Sequence, residues 1–582
     1  MFRLYGQLFS ENDFQVNETK PEFEGDYTIV LFALVKALKK SPQDLGRELG
    51  EQMLKDDPQF FSGYNVIKGF LNLTIADQQL SSLLHKNYQD ENYGRRASNH
   101  KRVMVEYSSP NTNKPLHLGH LRNNFLGWSV AEILKANGNE VVKTSIVNDR
   151  GIHICKSMIA WQMFGQGKTP DSVHEKGDHF VGDYYVKFND EYKKEVEELV
   201  EEGKSKAEAE KEAPLMKKTQ QMLLDWEQGN PEVRALWATM NSWVYKGFDE
   251  TYKRIGSDFD KTFYESNTYL LGKDFVKEGL EKHILFTKED GSVWIDLKDK
   301  NLEEKLVLRS DGTSVYITQD IGLAKQKFEE YDLDKSIYVI GDEQLHHMKV
   351  LKEIIRKLGM PFADHIFHLS YGMVELTTGK MKSREGTVVD ADDLIDEMVE
   401  TAEKHTRELG KVNDFSKDEL KELYEILGLG AMKFYLLRVD PKKRMLFNPE
   451  ESIDFHGFTG PFVQYTYARI KSILRKVESF DAEVPGLEFS AVKLLPLERQ
   501  LILMLEKYGN IISDAGQEMN PSVVANYVFN LAKLYNSFYA EHSVANAETS
   551  DKKQLRLGIS LMTSIVIKSG LQLLGIKVPD RM

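Results

Sequence analysis

Apolar residues along this chain recur at two spacings, one typical of strands and the other typical of helices. Residues 103–107 and 140–147 predict strands, and residues 121–135 between them predict a helix that ends before Asn137-Gly138. A strand, a helix and a strand within about 45 residues form a βαβ unit with parallel strands. The pattern therefore predicts a parallel sheet in the middle of the chain.

The same alternation returns at residues 336–341, an apolar strand that ends in glycine, and at residues 345–358, which predict a helix. Before this second segment, residues 187–213 are rich in Glu and Lys, and they predict a solvated helical face with a mobile loop. We interpret this stretch as part of an insertion between two halves of a nucleotide-binding sheet.

The two ends of the chain follow other patterns. Residues 31–38 predict a helix, residues 69–75 predict a strand, and residues 91–101 are polar like a linker, which together indicate a small α+β domain. Near the C-terminus, four segments carry apolar faces at helical spacing and predict a helical bundle: residues 462–476, 495–508, 521–539 and 555–574.

A chain of 582 residues is too long for one ordinary core, so several domains are expected. We predict an N-terminal domain at residues 1–100 and a sheet domain at residues 101–440 with an insertion at about 160–300. Residues 441–582 are then the helical domain.

Composition narrows the function classes. The chain has no apolar run near the roughly 20 residues of a membrane span, and its N-terminus lacks the pattern of a signal peptide, so we expect a cytoplasmic protein without a membrane partner. The one cysteine, Cys155, excludes an intrachain disulfide and a Cys-based zinc cluster, and we interpret it as a core thiol.

The net charge of −14 argues against a nucleic-acid partner, but the distribution of charge along the chain matters more than its total. Residues 441–582 carry 17 Lys and Arg against 15 Asp and Glu, so the acidic excess lies in the rest of the chain. The C-terminal region therefore remains able to contact nucleic acid.

The strongest chemical signal is the turn at residues 108–120, which joins the first predicted strand to its helix. It contains His117, Gly119 and His120. A helix start offers unpaired N–H groups and a partial positive charge, and imidazole adds further donors. The glycine allows a ligand to approach the backbone closely. This turn predicts a site for the phosphates of a nucleotide.

A second signal lies about 260 residues further along the chain. A predicted strand at residues 371–376 leads into a segment where Lys380, Lys382 and Arg384 stand between two glycines. Such cations stabilise the charge that develops in phosphoryl or nucleotidyl transfer. On its own this segment is typical of an exposed basic turn, but the histidine turn favours a role in phosphate binding.

These two motifs carry a family resemblance. His117-Leu118-Gly119-His120 resembles the His-Ile-Gly-His signature of class I aminoacyl-tRNA synthetases, and residues 380–384 resemble the second signature, Lys-Met-Ser-Lys-Ser. Within that class, four further segments are similar to arginyl-tRNA synthetases: residues 105–111, 316–320, 460–470 and 574–582. The resemblance spans almost the whole chain, and the ordered combination of motifs is highly specific.

The resemblance implies an α/β fold: a Rossmann-type parallel-sheet catalytic domain with an insertion, a small N-terminal α+β domain that approaches the tRNA elbow, and a C-terminal α-helical bundle that binds the anticodon. It implies an arginine–tRNA ligase of protein biosynthesis, which activates L-arginine with ATP and transfers it to the terminal adenosine of tRNA(Arg). Mg²⁺ would arrive with ATP, no structural metal is expected, and the chain would be a monomer.

The family's functional residues map onto this sequence one position at a time. The resemblance implies catalytic roles for Lys114, His117, His120, Lys380 and Lys382. ATP would contact His117, Gly119, His120, Met373, Val374, Lys380 and Met381. L-Arginine would contact Glu106, Ser108, Asn111, Tyr316, Asp320 and Gln344. A guanidinium presents five donors in a rigid fork, so carboxylates are its natural partners and lysine cannot reproduce the contact.

The sequence departs from the family pattern at two places. Ser383 stands where the second signature has its last lysine, and the resemblance assigns that lysine's role to Lys114. Residues 148–151 are Asn-Asp-Arg-Gly where the family usually has Gly-Asp-Trp-Gly, which leaves a ligand role for Asp149 open.

Each of these assignments also has a simpler structural interpretation. Glu106 fits a surface salt bridge, Tyr316 fits a core position, and Lys114 fits an exposed loop. Asp320 fits the N-cap of a helix that starts at the next residue.

Three other functions share part of the pattern. A cytidylyltransferase also uses His-x-Gly-His, but it explains neither the second signature nor the helical C-terminal region. A non-catalytic tRNA-binding relative would be indicated by the loss of a signature histidine or a pocket acid, and neither is lost here. A class I synthetase of another amino-acid specificity is the nearest alternative, because specificity depends on few residues.

Overall fold

The computed structural model describes residues 2–376, 389–410, 414–477 and 492–582, apart from residues 7, 11 and 21. Within these residues, the chain forms a small N-terminal domain, a parallel-sheet domain with a helical insertion, and a C-terminal helical bundle. The fold class predicted from the sequence is therefore confirmed.

The N-terminal domain is an antiparallel sheet with helices packed against it. Its elements are α1 (Phe2–Tyr5), β1 (Val16–Glu18), β2 (Tyr27–Val30), α2 (Phe32–Leu38), α3 (Pro42–Asp56), β3 (Phe61–Ile67), β4 (Phe70–Ile75) and α4 (Asp77–Asn87). The strands lie in the order β1-β2-β4-β3. The predicted helix at 31–38 and strand at 69–75 are confirmed as α2 and β4.

The middle of the chain alternates strands and helices. In chain order its elements are β5 (Arg102–Glu106), α5 (Leu118–Ala136), β6 (Glu140–Val147), α6 (Ile152–Phe164), α7 (Pro170–Val173), α8 (Gly177–Glu201), α9 (Lys206–Glu212), α10 (Pro214–Glu227), α11 (Pro231–Ile255), β7 (Lys261–Tyr264), α12 (Glu265–Thr268), α13 (Lys273–Glu281), β8 (Leu285–Thr287), β9 (Val293–Ile295), β10 (Lys305–Leu308), α14 (Tyr316–Tyr331), β11 (Lys335–Gly341), α15 (Leu345–Lys357), β12 (Ile366–Tyr371), β13 (Val374–Leu376), α16 (Ala391–Leu409), α17 (Lys417–Leu437), β14 (Met445–Phe447) and α18 (Pro449–Ser452).

Five of these strands form one parallel sheet in the order β12-β11-β5-β6-β7. Because β5 lies at the centre, its last residue, Glu106, is in register with Thr144 of β6 and Tyr338 of β11. The predicted βαβ unit is confirmed as β5-α5-β6. In a parallel sheet with this kind of topology, ligands bind at the carboxyl ends of the strands.

The insertion is more ordered than its composition suggested. The Glu/Lys-rich stretch forms α8 and α9 rather than a helix and a mobile loop, because buried residues such as Phe188 and Ala209 attach both helices to their neighbours. Within the range expected for the insertion, β7 belongs to the main sheet, and β8 and β9 form a separate antiparallel sheet with β10, which lies just beyond that range. A strand of four residues is too short to recognise from its pattern of apolar residues.

The C-terminal bundle consists of α19 (Gly460–Lys476), α20 (Pro496–Glu506), α21 (Tyr508–Glu518), α22 (Pro521–Glu541) and α23 (Ser550–Leu573). Four of them confirm the predicted helices, and α21 is an additional one. One hydrophobic core runs continuously from α4 through α5 and α17 into this bundle. Cys155 is only 3% exposed within it, which confirms the core thiol.

Polar contacts also join the first and last domains. Arg499 of α20 donates to the carboxylates of Asp26 and Asp77, and the Tyr27 hydroxyl donates to Glu506 at 2.6 Å. These contacts fix the N-terminal domain beside the helical bundle. In the part of the chain that the structure describes, no helix is long and apolar enough to cross a membrane.

Candidate active site

The two signature histidines cap the helix that they begin. His117 is the N-cap of α5, and its Nδ1 accepts the Gly119 N–H at 3.1 Å. In return, the backbone N–H of His117 donates to Nδ1 of His120 at 3.2 Å. A Cβ atom at Gly119 would lie 3.0 Å from the His117 ring, so glycine leaves the imidazole in place. The reciprocal cap fixes both rings, whose centres are 3.9 Å apart.

This arrangement determines which nitrogen of each ring carries the proton. Since Nδ1 of both rings accepts a backbone N–H, the neutral imidazoles carry their hydrogen on Nε2. Burial lowers the pKa of His117 to about 4, and the charge of Lys114 acts in the same direction. Burial, His117 and Lys114 also hold the pKa of His120 well below its usual value. The helix start therefore presents two neutral Nε2–H donors.

We expect both rings to remain neutral Nε2–H tautomers from about pH 5.5 to pH 8, because burial disfavours the charged form and the cap occupies Nδ1. Long-range ¹H–¹⁵N correlation spectra, assigned with His117→Gln and His120→Gln, measure this directly. A ring that titrates near pH 6.5, or one that carries its proton on Nδ1, would contradict the expectation.

Lys114 lies on the approach to this helix. Its side chain is partly buried, and its charge acts on His117, His120 and His153 of α6. Among the described residues, the Lys114 ammonium forms no hydrogen bond or ion pair. It is therefore available to an anion at the helix start, and it is not the exposed loop lysine of the simpler interpretation.

The second signature falls in residues 377–388, so Lys380, Met381 and Lys382 lie outside the described residues. Both flanks of this segment can be placed. On one side, the Leu118 N–H donates to the Val389 carbonyl at 3.0 Å, and His117 forms an antiparallel bridge with Asp390. On the other side, β13 contacts α5. The flanks of the second signature thus meet the helix that carries the first.

The two expected nucleotide contacts of this region lie next to that segment. Met373 precedes β13 and is 44% exposed, and Val374 is the first residue of β13 and is buried. Only Met373 offers an accessible side chain in this structure, so any contact of Val374 with ATP would use its backbone.

A charged cluster holds the residues after the second signature. Lys176 donates to Asp178 at 3.0 Å and to Asp392 at 2.7 Å, and His179 contacts Asp392 at 3.0 Å. Three of these side chains lie close enough together to bind a metal ion: Asp178, His179 and Asp392. The ammonium of Lys176, however, already contacts the carboxylates of both aspartates. The cluster therefore joins the starts of α8 and α16 as an ionic contact.

Glu106 is in a buried ion pair. Its carboxylate accepts from the ammonium of Lys327 of α14, whose side chain is fully buried. The ring of Tyr338 lies 4.7 Å from that ammonium. Glu106 therefore does not form a surface salt bridge, and its carboxylate is not free. Its contact with Lys327 helps to fix the position of α14.

Replacing Lys327 with methionine should lower the free energy of unfolding by about 3–5 kcal/mol, because it leaves the Glu106 carboxylate buried without a counter-charge. Adding Glu106→Gln should restore most of that loss. Urea unfolding measures both effects. Lys325→Met is the matched control on the same helix, since its side chain is 40% exposed, and it should change stability by less than about 1 kcal/mol. Equal losses at the two lysines would contradict the ion-pair argument.

Ser108 also has a structural role. Its hydroxyl is 2.6 Å from the Tyr252 hydroxyl and accepts from Asn124 at 3.1 Å, and its backbone N–H donates to Asn123 at 2.6 Å. Ser108 has a φ of 75°, in the left-handed region, so these contacts hold a strained turn. The residue is only 5% exposed, and its hydroxyl is therefore poorly placed to reach a ligand.

Tyr316 and Asp320 lie one helical turn apart at the start of α14. Tyr316 is 69% exposed, which excludes the core interpretation. Asp320 is the fifth residue of the helix rather than its N-cap, and its Oδ2 contacts Nε2 of His347 at 2.8 Å. Both side chains are accessible from the carboxyl edge of the sheet.

Asn111 and Gln344 lie at the carboxyl ends of neighbouring strands. Asn111 is exposed and forms a parallel bridge with Asn148, which follows β6. Gln344 is exposed in the short turn after β11. Of the expected arginine contacts, these two and the α14 pair have accessible polar groups.

The structure adds an acid that the sequence did not indicate. Glu265, the first residue of α12, is 7% exposed, and among the described residues its carboxyl forms no hydrogen bond or ion pair. Burial, opposed by Arg150 and assisted by Asp149 and Asp320, raises the pKa of Glu265 to about 7. An unpaired buried acid of this kind is typical of a binding site. No motif marks it, because it follows a strand of four residues.

Asp149 holds this acid in position. Its Oδ1 accepts the Ser266 N–H at 2.8 Å, and its Oδ2 accepts from the hydroxyls of Ser266 at 2.7 Å and Tyr245 at 2.8 Å. Because its oxygens are occupied by the chain itself, Asp149 orients α12 and Glu265.

The carboxyl edge of the sheet thus offers two kinds of chemistry. Neutral imidazole donors, a helix start and an unpaired lysine suit a polyphosphate. The carboxylates of Asp320 and Glu265 suit a cationic group, and the exposed Tyr316 lies at the solvent side of this pocket. The two parts meet where Asn111 lies beside the segment after β6.

Comparisons with known proteins cover every part of the chain. The model for "tRNA synthetases class I (R), catalytic domain" matches residues 79–448. The "Arginyl tRNA synthetase N terminal domain" matches residues 3–75, and the "DALR anticodon binding domain" matches residues 463–582.

Full-length relatives agree with these matches. The chain is 53% identical over 581 residues to an arginine–tRNA ligase of Bacteroides fragilis, which covers 100% of this chain and 97% of the relative. It is 51% identical over 593 residues to an arginine–tRNA ligase of Flavobacterium psychrophilum, with the same coverage.

Solved structures support the fold. The arginyl-tRNA synthetase of Thermus thermophilus has a TM-score of 0.76 at 24% identity, over 98% of this chain and 96% of that one. The enzyme of Plasmodium falciparum has a TM-score of 0.75 at 19% identity, over 100% and 97%. With a family model on most of its length and relatives at about half identity from end to end, the chain belongs to the arginyl-tRNA synthetase family.

Proposed function

We propose that this chain ligates L-arginine to the 3′-terminal adenosine of tRNA(Arg), and that it first activates the amino acid with ATP. Relatives named arginine–tRNA ligase over the full length support the reaction. One observation supports the assignment to this site: two kinds of group lie at the same edge of one sheet. His117 and His120 offer hydrogen-bond donors to phosphate, and two acids, the accessible Asp320 and the unpaired Glu265, suit a cation.

ATP binds at the start of α5. The Nε2–H groups of His117 and His120 donate to phosphate oxygens, and Gly119 leaves room for the nucleotide. Lys114 neutralises the β- and γ-phosphates. Lys380 and Lys382 contribute from the second signature, while Met373, Val374 and Met381 border the nucleotide.

Mg²⁺ enters with ATP, since a magnesium ion usually binds through substrate phosphates and one or two protein oxygens. The donor set at the α5 start consists of N–H groups and an ammonium, which fits phosphate oxygens rather than a metal ion.

The guanidinium of arginine lies between the carboxylates of Asp320 and Glu265, with Tyr316 against its alkyl stem. Asn111 and Gln344 hold the amino-acid end at the neighbouring strand ends. Glu106 and Ser108 support the pocket from below, the first through Lys327 and the second through Tyr252.

The reaction then follows from position. The arginine carboxylate attacks the α-phosphorus of ATP, pyrophosphate leaves on the opposite side, and arginyl-adenylate remains. The adenylate passes arginine to the 2′-hydroxyl of the terminal adenosine, and AMP leaves. The helical bundle binds the anticodon, the N-terminal domain approaches the tRNA elbow, and the chain acts as a monomer in the cytoplasm.

One experiment tests the specificity. Purified enzyme is incubated with ATP, Mg²⁺, total tRNA from the source organism and each of the twenty amino acids in turn. We expect acylation with arginine alone. Acylation with another amino acid, such as cysteine or glutamate, would overturn the assignment of the substrate, and no acylation at all would favour a non-catalytic relative.

A further inference from the structure

Arg150 lies in the segment after β6, and its guanidinium is held from several sides. The ring centre of Tyr269 is 4.2 Å from the guanidinium carbon, and the ring centre of Trp226 is 5.4 Å away. One terminal nitrogen donates to Glu227 at 2.6 Å. The side chain is 11% exposed, so the charge has a fixed position.

The partners of Arg150 come from the insertion. Trp226 and Glu227 end α10, and Trp226 is itself 1% exposed. A second cation also lies against this ring, because the guanidinium carbon of Arg234 of α11 is 3.4 Å from the Trp226 ring centre. Nothing in the sequence connected the insertion with amino-acid recognition, yet its helices hold this cation at the edge of the proposed pocket.

Arg150 is the positive charge beside Glu265, because the Tyr269 ring against which it lies belongs to the same turn: the Tyr269 N–H donates to the Glu265 carbonyl at 2.9 Å. The other charged groups that face Glu265 are acids, namely Asp149 from the same segment and Asp320 from α14. Tyr316 of α14 faces the same carboxyl and is neutral. Without a cation, two neighbouring carboxylates and burial would all favour the protonated form of Glu265, and a neutral acid is a weak partner for a guanidinium.

The cation nevertheless leaves Glu265 unpaired. Arg150 forms its ion pair with Glu227, and the described residues contain no ion pair between Arg150 and Glu265. In addition, the Arg150 Nε–H is buried without a hydrogen-bond partner. The guanidinium is thus near enough to influence the carboxyl and is held back from it by the stack and by Glu227.

We propose that Arg150 is a positioning residue for arginine recognition: its fixed charge favours the ionised form of the Glu265 carboxyl without pairing with it, so that this carboxyl receives the guanidinium of the substrate. This inference rests on the pocket proposed above. It predicts that the insertion determines how strongly arginine binds near neutral pH, although none of its residues need touch the substrate.

The test is the KM for arginine in tRNA-dependent aminoacylation, measured from about pH 6 to pH 8.5. In the unmodified enzyme, KM should fall as the pH rises and Glu265 ionises. Arg150→Gln should move this fall to higher pH. If the profile moves by about one pH unit from a pKa of about 7, KM at pH 7 rises about fivefold, and it should approach the unmodified value at pH 8.5. Arg150→Lys, which keeps the charge, should move the profile less.

Arg234→Gln is the matched control. It removes the second guanidinium that lies against the same tryptophan, and Arg234 is not among the charges that act on Glu265. We expect its pH profile to match that of the unmodified enzyme. The KM for ATP and the melting temperature are recorded for every variant, so that damage to the fold is visible.

The outcomes separate this inference from the pocket itself. If Arg150→Gln raises the arginine KM equally at all pH values, or leaves it unchanged, Arg150 has only a structural role and the inference is overturned. If Glu265→Gln leaves the arginine KM unaltered, the pocket itself is misplaced. His347, which contacts Asp320, is a second titratable group beside the pocket, but its contribution persists in Glu265→Gln and is subtracted there.

Discussion

Replacing Lys114 with alanine should slow the formation of arginyl-adenylate about 100- to 1000-fold and leave the affinity for arginine nearly unchanged. The ammonium of Lys114 lies beside the two histidines at the start of α5, and within the described residues it has no partner of its own. Its charge is thus free to stabilise the pyrophosphate that leaves, where negative charge grows during the reaction. Single-turnover release of pyrophosphate, with tRNA(Arg) bound, measures the rate.

Two variants control this experiment. Lys114→Arg keeps the charge and should recover much of the lost rate, while Lys168→Ala, at an exposed lysine after α6, should behave as the unmodified enzyme. A normal single-turnover rate in Lys114→Ala would transfer the role to the second signature. A parallel loss of arginine affinity would instead indicate that Lys114 supports the amino-acid pocket.

Three of the five strands of the parallel sheet, β5, β6 and β11, were predictable because they form runs of five to eight residues rich in apolar side chains. The strand predicted at residues 140–147 is β6 to the residue, and the helix predicted at 121–135 lies within α5. The start of α5 was missed by three residues, since the reciprocal cap of His117 and His120 depends on side-chain geometry rather than on periodicity. The same cap determines the tautomers, which no spacing of residues could have indicated.

Only those residues of the amino-acid pocket that belong to a sequence motif were predictable. Tyr316 and Asp320 came from one short motif and lie at the edge of the sheet as accessible groups. Glu106 came from another, yet its carboxylate is paired with Lys327, a residue 221 positions away that no local pattern could connect with it. Long-range pairing of buried charges follows from the packing of α14 on the sheet.

Glu265 was not predictable, for a related reason. Its importance comes from burial without a partner among the described residues and from three charged neighbours that are distant from it in the sequence, Asp149, Arg150 and Asp320. The strand before it has four residues and sits inside a range that resembled an insertion. Only the packing of the described residues shows that this carboxyl is buried without a partner.

Replacing Glu265 with glutamine should raise the KM for arginine at least about 30-fold at pH 8, with a smaller change in kcat. Loss of one partner in a buried, charge-assisted contact costs about 2 kcal/mol or more. The pH dependence should change as well. The pKa of Glu265 is about 7, so arginine binding in the unmodified enzyme should strengthen as the pH rises through that value, and the variant should lose this part of the dependence.

Citrulline makes the experiment more specific, because it has nearly the shape of arginine and carries no charge. The unmodified enzyme should reject it strongly, since a neutral ureido group leaves the pocket carboxylates without a cation. In Glu265→Gln, the ratio of kcat/KM for arginine to that for citrulline should fall, because only arginine loses an ionic partner. Glu281→Gln, at an exposed acid of α13, is the matched control. If the ratio in Glu265→Gln equals that of the unmodified enzyme, Asp320 alone distinguishes the charged substrate from the neutral one. Glu265 would then stabilise α12 and would not bind the amino acid.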